Sequence, residues 1–470
     1  MILSLFAINV NAQDEEWFGD EKKVEGTSDL NGWYFSKASS GRFSLKRNDG
    51  KYRVSTGGRF TLDGGYLHKD ITPISSGTRI KEARLNTSLK LDKVNMFFEV
   101  DFAGGEVNFK DITARYNFTD HNFIKIGYYT EPFSPNYMTT TEKVSFIGRP
   151  STVSAFAPSR NLGITYRHYN RYYWLETGVF GNDVNQSYQG EDGFGVSGRF
   201  VGIPIELENS HLHFGFSLAY RTGDSRGFDE DGSIYYNRKL NYTAGLQTSL
   251  NSHKFITAYI GPSGSDNYGQ EDLGALKNGG AKSEYLFGLE VMDIYRNFRW
   301  QAEGIYNRAN RVINKEKILA LEREENGGGL YPEKWEDISY KYGDMRSLNF
   351  YGYIVQAHYL IFGGNYKYQR NTATVRRLTK RALELSARYN FTSLNDIDED
   401  ATFYDGKFYD NNGVNNSHAG GTTSSVTVSL NYIFNANIRF VAEYTNQKFD
   451  IYQGQDEIIN MFQARFQLFF

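Results

Sequence analysis

Apolar and polar residues alternate along much of this chain from about residue 52 to its end, which is the period-two pattern of β-strands. In the final stretch one parity is mostly polar and carries Gln463, Arg465 and Gln467. The opposite parity is apolar and consists of Phe462, Ala464, Phe466, Leu468 and Phe470. Because successive side chains of a strand point to opposite faces, each such stretch has one apolar and one polar face.

The same alternation marks eighteen candidate strands, and the pair at 238–250 and 253–260 shows it most weakly. The candidates are 52–66, 79–91, 94–103, 107–117, 122–130, 160–169, 171–181, 193–203, 210–222, 238–250, 253–260, 284–293, 297–308, 347–360, 381–391, 424–434, 436–446 and 459–470. A closed single-chain barrel of this kind needs an even number of strands. The sequence therefore predicts an all-β, antiparallel up-and-down barrel of sixteen strands, with eighteen as the alternative.

A soluble β-sandwich or parallel β-helix could also alternate, with the apolar face forming its core. Three features favour a transmembrane barrel. The stretches are about ten residues long, enough for a tilted strand to cross the apolar part of a bilayer. One set of joins is very short, as at Asp120-His121, Asn170-Arg171 and Asn435-Ala436, while the other joins are long and polar. The polar parity also carries charges along its length, which suits a water-filled lumen.

Composition narrows the alternatives further. Mean hydropathy is −0.56, and no run of about 18 apolar residues is present after the first residues, so no membrane-spanning helix is predicted. Aromatic residues make up 16% of the chain, and they favour strands and membrane interfaces. The formal net charge is −3, so the overall charge gives no indication of nucleic-acid binding.

Candidate chemistry is sparse. The chain has no cysteine, which excludes disulfides, thiol catalysis and zinc bound by cysteine. It carries none of the common hydrolase, zinc-protease or nucleotide-binding motifs. His211 and His213 share a strand face, but two ligands specify a metal site weakly, and an aromatic and polar pair in the lumen or at its rim explains them better. We predict no enzyme activity, no cofactor and no metal site.

The chain divides into three predicted parts. Residues 1–12 contain an apolar stretch followed by the small residue Ala12, which is typical of the remainder of a secretory signal peptide. Residues 13–50 begin with an acidic, polar stretch and are predicted to form an exposed leader. Residues 51–470 form the predicted barrel. Within it, the join 131–159 contains four prolines and is the predicted pore loop.

Several short motifs occur in the order in which one porin family shows them. They are Ile80-Lys81-Glu82-Ala83-Arg84-Leu85, Phe98-Glu99-Val100-Asp101-Phe102-Ala103, Ile126-Gly127-Tyr128-Tyr129-Thr130-Glu131-Pro132-Phe133-Ser134, Ala157-Pro158-Ser159-Arg160-Asn161-Leu162-Gly163, Trp300-Gln301-Ala302-Glu303-Gly304, Ala382-Leu383-Glu384-Leu385-Ser386-Ala387-Arg388-Tyr389-Asn390, and the last nine residues. Taken in order, from about 52 to 470, the series resembles the phosphate-selective porin O and P family.

The resemblance implies a trimeric, sixteen-stranded porin in the outer membrane of a Gram-negative bacterium. Such a protein contacts outer-membrane lipid and passes small hydrophilic or anionic solutes, with a preference for anions or phosphate. The family's inward-folded third loop maps onto 131–159. By strand parity and loop position, the candidate pore-lining and anion-binding residues are Arg84, Arg115, Lys125, Lys143, Arg149, Arg160, Arg167, Arg299, Arg388, Arg439 and Arg465.

Two questions stay open from the sequence. The inward arginines could form wall ion pairs with carboxylates such as Glu99, Asp111 and Glu384 instead of an anion path. The basic run from Arg370 to Arg381 could form an anion funnel at one mouth, or a solvated loop near lipid headgroups. Rival functions are a barrel scaffold in an envelope complex and a secreted, β-rich glycan-binding protein.

Overall fold

Inward-facing and outward-facing side chains alternate along sixteen long strands in the computed structural model of the chain. The structure describes residues 21–23, 31–38, 42–68, 70–181, 183, 193–223, 238–261, 280–339, 346–404, 407–409, 417–452 and 454–470. The predicted signal peptide, 1–12, lies outside these residues, as does part of the predicted leader.

The sixteen strands close into one antiparallel barrel. They are β1 (Tyr52–His68), β2 (Gly77–Leu91), β3 (Val94–Asp101), β4 (Asn108–Thr119), β5 (Asn122–Thr130), β6 (Arg160–Tyr169), β7 (Tyr173–Phe180), β8 (Gly195–Leu207), β9 (Ser210–Arg221), β10 (Gly280–Tyr295), β11 (Phe298–Val312), β12 (Leu348–Phe362), β13 (Ala382–Asp396), β14 (His418–Ile433), β15 (Ile438–Asp450) and β16 (Glu457–Phe469). Each strand pairs with the next, and β16 pairs with β1 in a register that places Phe462 beside Tyr66. The predicted number of sixteen is confirmed.

The two faces of the barrel differ as the alternation predicts. On β16, Ile458, Phe462 and Phe466 point outward and are exposed, whereas Arg465 and Gln467 point inward and are buried. An outward apolar face suits contact with lipid, and an inward polar face suits contact with water or with polar segments inside the barrel. No helix among the described residues has the length and hydropathy needed to cross a bilayer.

Connections of two to four residues join most strands at one end of the barrel, which we call the short-turn end. The opposite, long-loop end carries the longer connections, including 131–159 with helices α1 (Pro135–Met138) and α2 (Ser151–Phe156). A third helix, α3 (Lys315–Glu325), lies in the connection between β11 and β12. One connection departs from the pattern: residues 363–381 join β12 to β13 at the short-turn end, and we call them the insert.

Two candidate strands were wrong as barrel strands. The stretches 238–250 and 253–260 instead form a separate two-stranded hairpin, Leu240–Gly245 with Lys254–Ile260, which we call the luminal hairpin. Its alternation has a different cause, because one of its faces packs on an apolar cluster that includes inward-facing Phe449, Ile459 and Met461. A buried face on a short hairpin produces the same period-two pattern as a face turned to lipid.

The predicted leader contains three short strands, Glu21–Lys23, Trp33–Ala38 and Phe43–Arg47. The last of these pairs with the first residues of β1, with Phe43 beside Thr56. Further along β1, the backbone of Gly58 exchanges hydrogen bonds with Phe470. The N-terminal strands therefore continue the sheet beyond the end of β16, at the short-turn end.

Leu289→Arg should destabilise the folded barrel much more than Tyr295→Arg. Both side chains are exposed on the outer face of β10, but Leu289 lies midway along the strand and Tyr295 at its short-turn end. An arginine facing lipid costs about 2–4 kcal/mol at the bilayer midplane and about 0–1 kcal/mol near the interface. Urea unfolding from lipid bilayers measures the difference. Equal losses of stability would mean that this face does not contact lipid.

Candidate functional site

Residues 131–159 make hydrogen bonds to inward-facing side chains on the far side of the barrel from their own anchors, β5 and β6. The Ile147 backbone N–H donates to the Glu443 carboxylate of β15 at 2.7 Å. The Ser145 carbonyl accepts from Ser429 and Asn431 of β14 at 2.7 and 2.9 Å. Such contacts satisfy backbone groups of a segment that has no strand partner.

The luminal hairpin contacts the same inward surface near the long-loop end. The Gln247 side chain donates to Ser425 at 2.6 Å and accepts from Arg388 at 2.5 Å. Ser249 donates to Asp63, which also holds Arg465 through two hydrogen bonds of 2.6 and 2.7 Å. The hairpin thus covers polar wall residues that would otherwise face water in the lumen.

The insert contacts the wall near the short-turn end. It contains a pair of two-residue strands, Tyr368–Gln369 and Thr374–Val375. The Trp174 indole donates to the Asn371 carbonyl at 2.9 Å, and Arg199 donates to the Ala373 carbonyl at 3.0 Å. These carbonyls lie in the turn between the two short strands, and buried donors of the wall supply hydrogen bonds to them.

A cavity of about 710 Å³ remains beside β1 to β6, bounded by parts of 131–159 and by the insert. Its lining runs from Arg160, at the long-loop end of β6, to Arg167, near the short-turn end of the same strand. Thirteen basic side chains line the cavity, namely Arg42, Arg59, Arg84, Arg115, Lys125, Lys143, Arg149, Arg160, Arg167, Lys367, Arg376, Arg377 and Lys380. Only Glu99, Asp111 and Glu142 oppose them on the lining among the described residues.

The structure brings most of the predicted site residues together in this cavity. Seven line it: Arg84, Arg115, Lys125, Lys143, Arg149, Arg160 and Arg167. The other four do not line it although they also point inward, namely Arg299, Arg388, Arg439 and Arg465. The inserted segments cover this second group, which strand parity alone cannot reveal.

Other lining residues were missed or left open by sequence reasoning. Arg59 lies on the inward parity of β1, so strand parity could have identified it as a lining residue. Arg42 lies directly before the N-terminal strand Phe43–Arg47, where the parity of the barrel strands does not apply. Of the basic run in the insert, Arg376, Arg377 and Lys380 line the cavity. Arg370 instead pairs with Glu206 of the wall.

Ion pairs with carboxylates of the barrel wall hold several of the lining cations in position. Arg84 contacts Glu82 at 2.6 Å and Glu99 at 2.8 Å, and it donates to Asp101 at 3.0 Å. In a second cluster, Lys125 and Arg167 both contact Glu176, at 2.9 and 2.7 Å. Glu82, Asp101 and Glu176 do not belong to the lining, so the carboxylates hold the cations in position from inside the wall. The structure therefore contains both ion pairs in the wall and a basic cavity lining.

Arg149 differs from the wall arginines, because its contacts are with a neutral group. Its guanidinium donates to the Tyr137 carbonyl at 3.3 Å and lies 4.0 Å from the centre of the Tyr137 ring. No carboxylate of the described residues forms an ion pair with it. Burial lowers the pKa of Arg149 and the nearby Tyr137 opposes that shift, but a guanidinium stays charged in proteins.

Glu142 lies in the same part of 131–159 and interrupts the basic lining. Burial favours its neutral form, but Arg377, Arg59 and Lys143 outweigh that effect and hold the pKa of Glu142 below its ordinary value. Its carboxylate lies 3.5 Å from the Arg377 guanidinium. Glu142 is therefore ionised at neutral pH and links 131–159 to the insert.

His211 and His213 both contact Tyr368 of the insert. The His211 ring stacks on the Tyr368 ring, and the His213 Nδ1 lies 3.0 Å from its hydroxyl. The described residues contain no group of three or more side chains able to hold a metal ion. The two histidines thus help to hold the insert against the wall of the barrel.

Comparison with known proteins places this barrel in a family. A model described as phosphate-selective porin O and P matches residues 54–470. A search of curated protein sequences finds no match. Among solved structures, the outer membrane channel DcaP of Acinetobacter baumannii has a TM-score of 0.48 at 12% identity, covering 90% of this chain and 99% of that chain. An anion-selective porin from Comamonas acidovorans has a TM-score of 0.46 at 9% identity, covering 88% and 99%.

A loop-deletion mutant of OmpT, an outer membrane protein of Vibrio cholerae, is similar at a TM-score of 0.48 and 10% identity, covering 89% of this chain and 99% of that chain. These low scores carry no information about solutes. The family match is different in kind, because it runs through β1 to β16 without leaving out a strand. The chain is a porin of the outer membrane and belongs to the phosphate-selective porin O and P family.

Proposed function

We propose that this porin passes small anions, phosphate among them, in preference to cations, by passive diffusion and without catalysis. The observation that supports the proposal most strongly is the lining of the cavity, where thirteen basic side chains stand against three acidic ones. A narrow aqueous path with walls of one sign concentrates counter-ions, because low-dielectric walls focus the field into the water.

The placement of the cations suits stepwise movement of an anion. Arg160 lies at the long-loop end of the path, Arg84 and Arg115 lie along its wall, and Arg167 lies near the short-turn end. Conduction needs binding that is strong enough for entry but spread over several sites, so that an ion can leave each one. Ion pairing of the wall arginines with carboxylates weakens each site and so favours release.

We infer that 131–159 and the insert together set the width of the path. Thr139, Thr140 and Lys143 of the first segment line the cavity together with residues of the insert, and Lys143 donates to Gln369 of the insert at 2.6 Å. The prolines in 131–159 stiffen it, and a stiff segment can fix a pore radius. Residues 131–159 therefore correspond to the family's inward loop in this proposal.

We also propose that three copies associate in the membrane, as the family resemblance implies. Lipid contacts the rest of the outer surface in this proposal, where exposed aromatic and aliphatic side chains are frequent. The molar mass of the purified protein in detergent, measured by light scattering with the detergent contribution subtracted, tests this association. A mass equal to that of one chain would contradict it.

Ion flux into proteoliposomes tests the anion preference directly. Vesicles containing the protein should take up phosphate faster than potassium at equal concentration gradients, and empty vesicles should take up neither. Equal uptake of both ions would leave a general porin without selectivity, and faster potassium uptake would overturn the proposal.

Exchanging Lys143 and Arg149 for glutamate should lower the ratio of chloride to potassium permeability several-fold. Both side chains line the cavity from 131–159, so the exchange reverses local charge where the path is narrow. Reversal potentials in planar bilayers measure the ratio. The matched control is Lys448→Glu, at the exposed long-loop end of β15 and outside the cavity lining. Equal behaviour of both proteins would mean that ions bypass 131–159.

A further inference from the structure

A second, much smaller cavity of about 30 Å³ lies behind the insert, against the short-turn ends of β11, β13, β14 and β15. Three parts of the chain meet there. The wall contributes Arg299 and Arg439, the insert contributes Arg376 and Arg377, and 131–159 contributes Lys143. Because Lys143, Arg376 and Arg377 also line the large cavity, the small one lies next to it.

The charges around this small cavity do not balance. Among the described residues, five basic side chains line it, and only the carboxylates of Glu142 and Glu384 oppose them. Glu384 lies 3.7 Å from Arg299, and Glu142 lies 3.5 Å from Arg377. The lining therefore keeps an excess of positive charge beside the buried wall side chains Arg299 and Arg439, which is unfavourable without a counter-ion.

The two wall arginines also have donors to spare. Arg299 is 6% exposed and Arg439 is 7% exposed. Their terminal nitrogens are engaged, since Arg299 donates to Ser145 at 3.0 Å and Arg439 donates to the Val144 carbonyl at 2.6 Å. The Nε–H of each finds no acceptor among the described residues. A buried donor without an acceptor is destabilising, and two in one basic pocket point to a missing negative partner.

We propose that this pocket binds a small inorganic anion of chloride size as a resident counter-ion. The volume limits the size of the ligand. One water needs about 10–15 Å³ of such space, so a cavity of about 30 Å³ has room for two to three waters. A tetrahedral oxyanion needs more space than that. The anion would hold the insert to the wall, because it sits between arginines that otherwise repel one another. The site adjoins the cavity of the proposed conduction path, but binding there does not depend on which solutes cross the pore.

Bromide replaces chloride in such a site and can be located by its anomalous scattering. Crystals of the full chain grown in sodium bromide should show an anomalous peak between Arg299 and Arg439. Arg439→Gln should remove that peak, and Arg299→Gln serves the same purpose if the first variant does not fold. Arg149→Gln, which changes the large cavity only, should leave the peak in place. Absence of the peak from the unaltered protein would overturn the proposal.

Thermal unfolding gives a second readout in solution. At constant ionic strength, replacing gluconate by chloride should raise the apparent melting temperature along a saturating curve, because the ion binds only the folded barrel. The rise should disappear in Arg439→Gln or Arg299→Gln and persist in Arg149→Gln. An equal rise in all of these proteins would mean that chloride acts elsewhere, and the proposal would be wrong.

Discussion

Excising residues 139–154 and joining the ends through a short glycine linker is expected to raise single-channel conductance several-fold while the barrel stays folded. These residues include Thr139, Lys143 and Arg149 of the cavity lining, and they contribute no rung to the barrel ladder. Their removal exposes Glu443 and Asn431 to water, which replaces the lost hydrogen bonds. Planar-bilayer recordings measure the conductance. The fraction of protein that stays folded in detergent at room temperature shows whether the barrel is intact.

Deleting residues 327–330 is the matched control for this excision. They form an exposed tip beyond α3 at the long-loop end, away from the cavity lining. Conductance should not change in that variant. If the excision of 139–154 also leaves conductance unchanged, the segment lies outside the ion path, and the proposed constriction would have to be abandoned although the barrel would remain.

Glu290→Ala should lower the free energy of unfolding by about 3–5 kcal/mol, because it strands a buried cation. The Arg199 side chain is fully buried and donates to Glu290 at 2.6 and 3.0 Å. His213 also lies 3.3 Å from the same carboxylate. Arg199 also donates to the Ala373 carbonyl of the insert, so the loss of Glu290 should also weaken the attachment of the insert near the short-turn end. Urea unfolding from lipid bilayers measures the loss.

Asp456→Ala provides the comparison for an exposed pair. Asp456 and Lys448 are 3.2 Å apart, and about half of each side chain is exposed. Exposed pairs contribute about 0–1 kcal/mol, so this variant should be nearly as stable as the unaltered protein. A loss for Glu290→Ala as small as that for Asp456→Ala would show that water reaches Arg199, and the lumen between β8 and β10 would be open instead of packed.

The strands of this barrel follow from the sequence because the environment on the two faces is uniform over long distances. Lipid requires an apolar residue at every second position, so β13 and β16 can be recognised without knowledge of their partners. The luminal hairpin escaped correct assignment because a single buried face gives the same alternation. Its strands, Leu240–Gly245 and Lys254–Ile260, are shorter than the 9–11 residues of a membrane strand. That length is seen only in the structure, whereas the apolar residues Ile459 and Met461 on the inward parity of β16 are a signal that was present in the sequence.

The site is only partly predictable for a related reason. Strand parity decides which residues point inward, and it predicted both Arg84 and Arg388 to line the pore. Which of them meets the open cavity depends on the segments that enter the barrel, and Gln247 of the luminal hairpin covers Arg388. The insert has no periodic pattern, and its position depends on contacts with distant residues such as Trp174. Long-range contacts of this kind leave no local trace in a sequence.

The reversal potential of the unaltered protein in a planar bilayer, under a tenfold gradient of potassium chloride, tests the central claim most directly. The basic lining of the cavity predicts a potential whose sign reports chloride as the more permeant ion. Addition of phosphate should reduce the chloride current, because both anions use the same arginines. A potential near zero, or one whose sign reports potassium as the more permeant ion, would contradict the account.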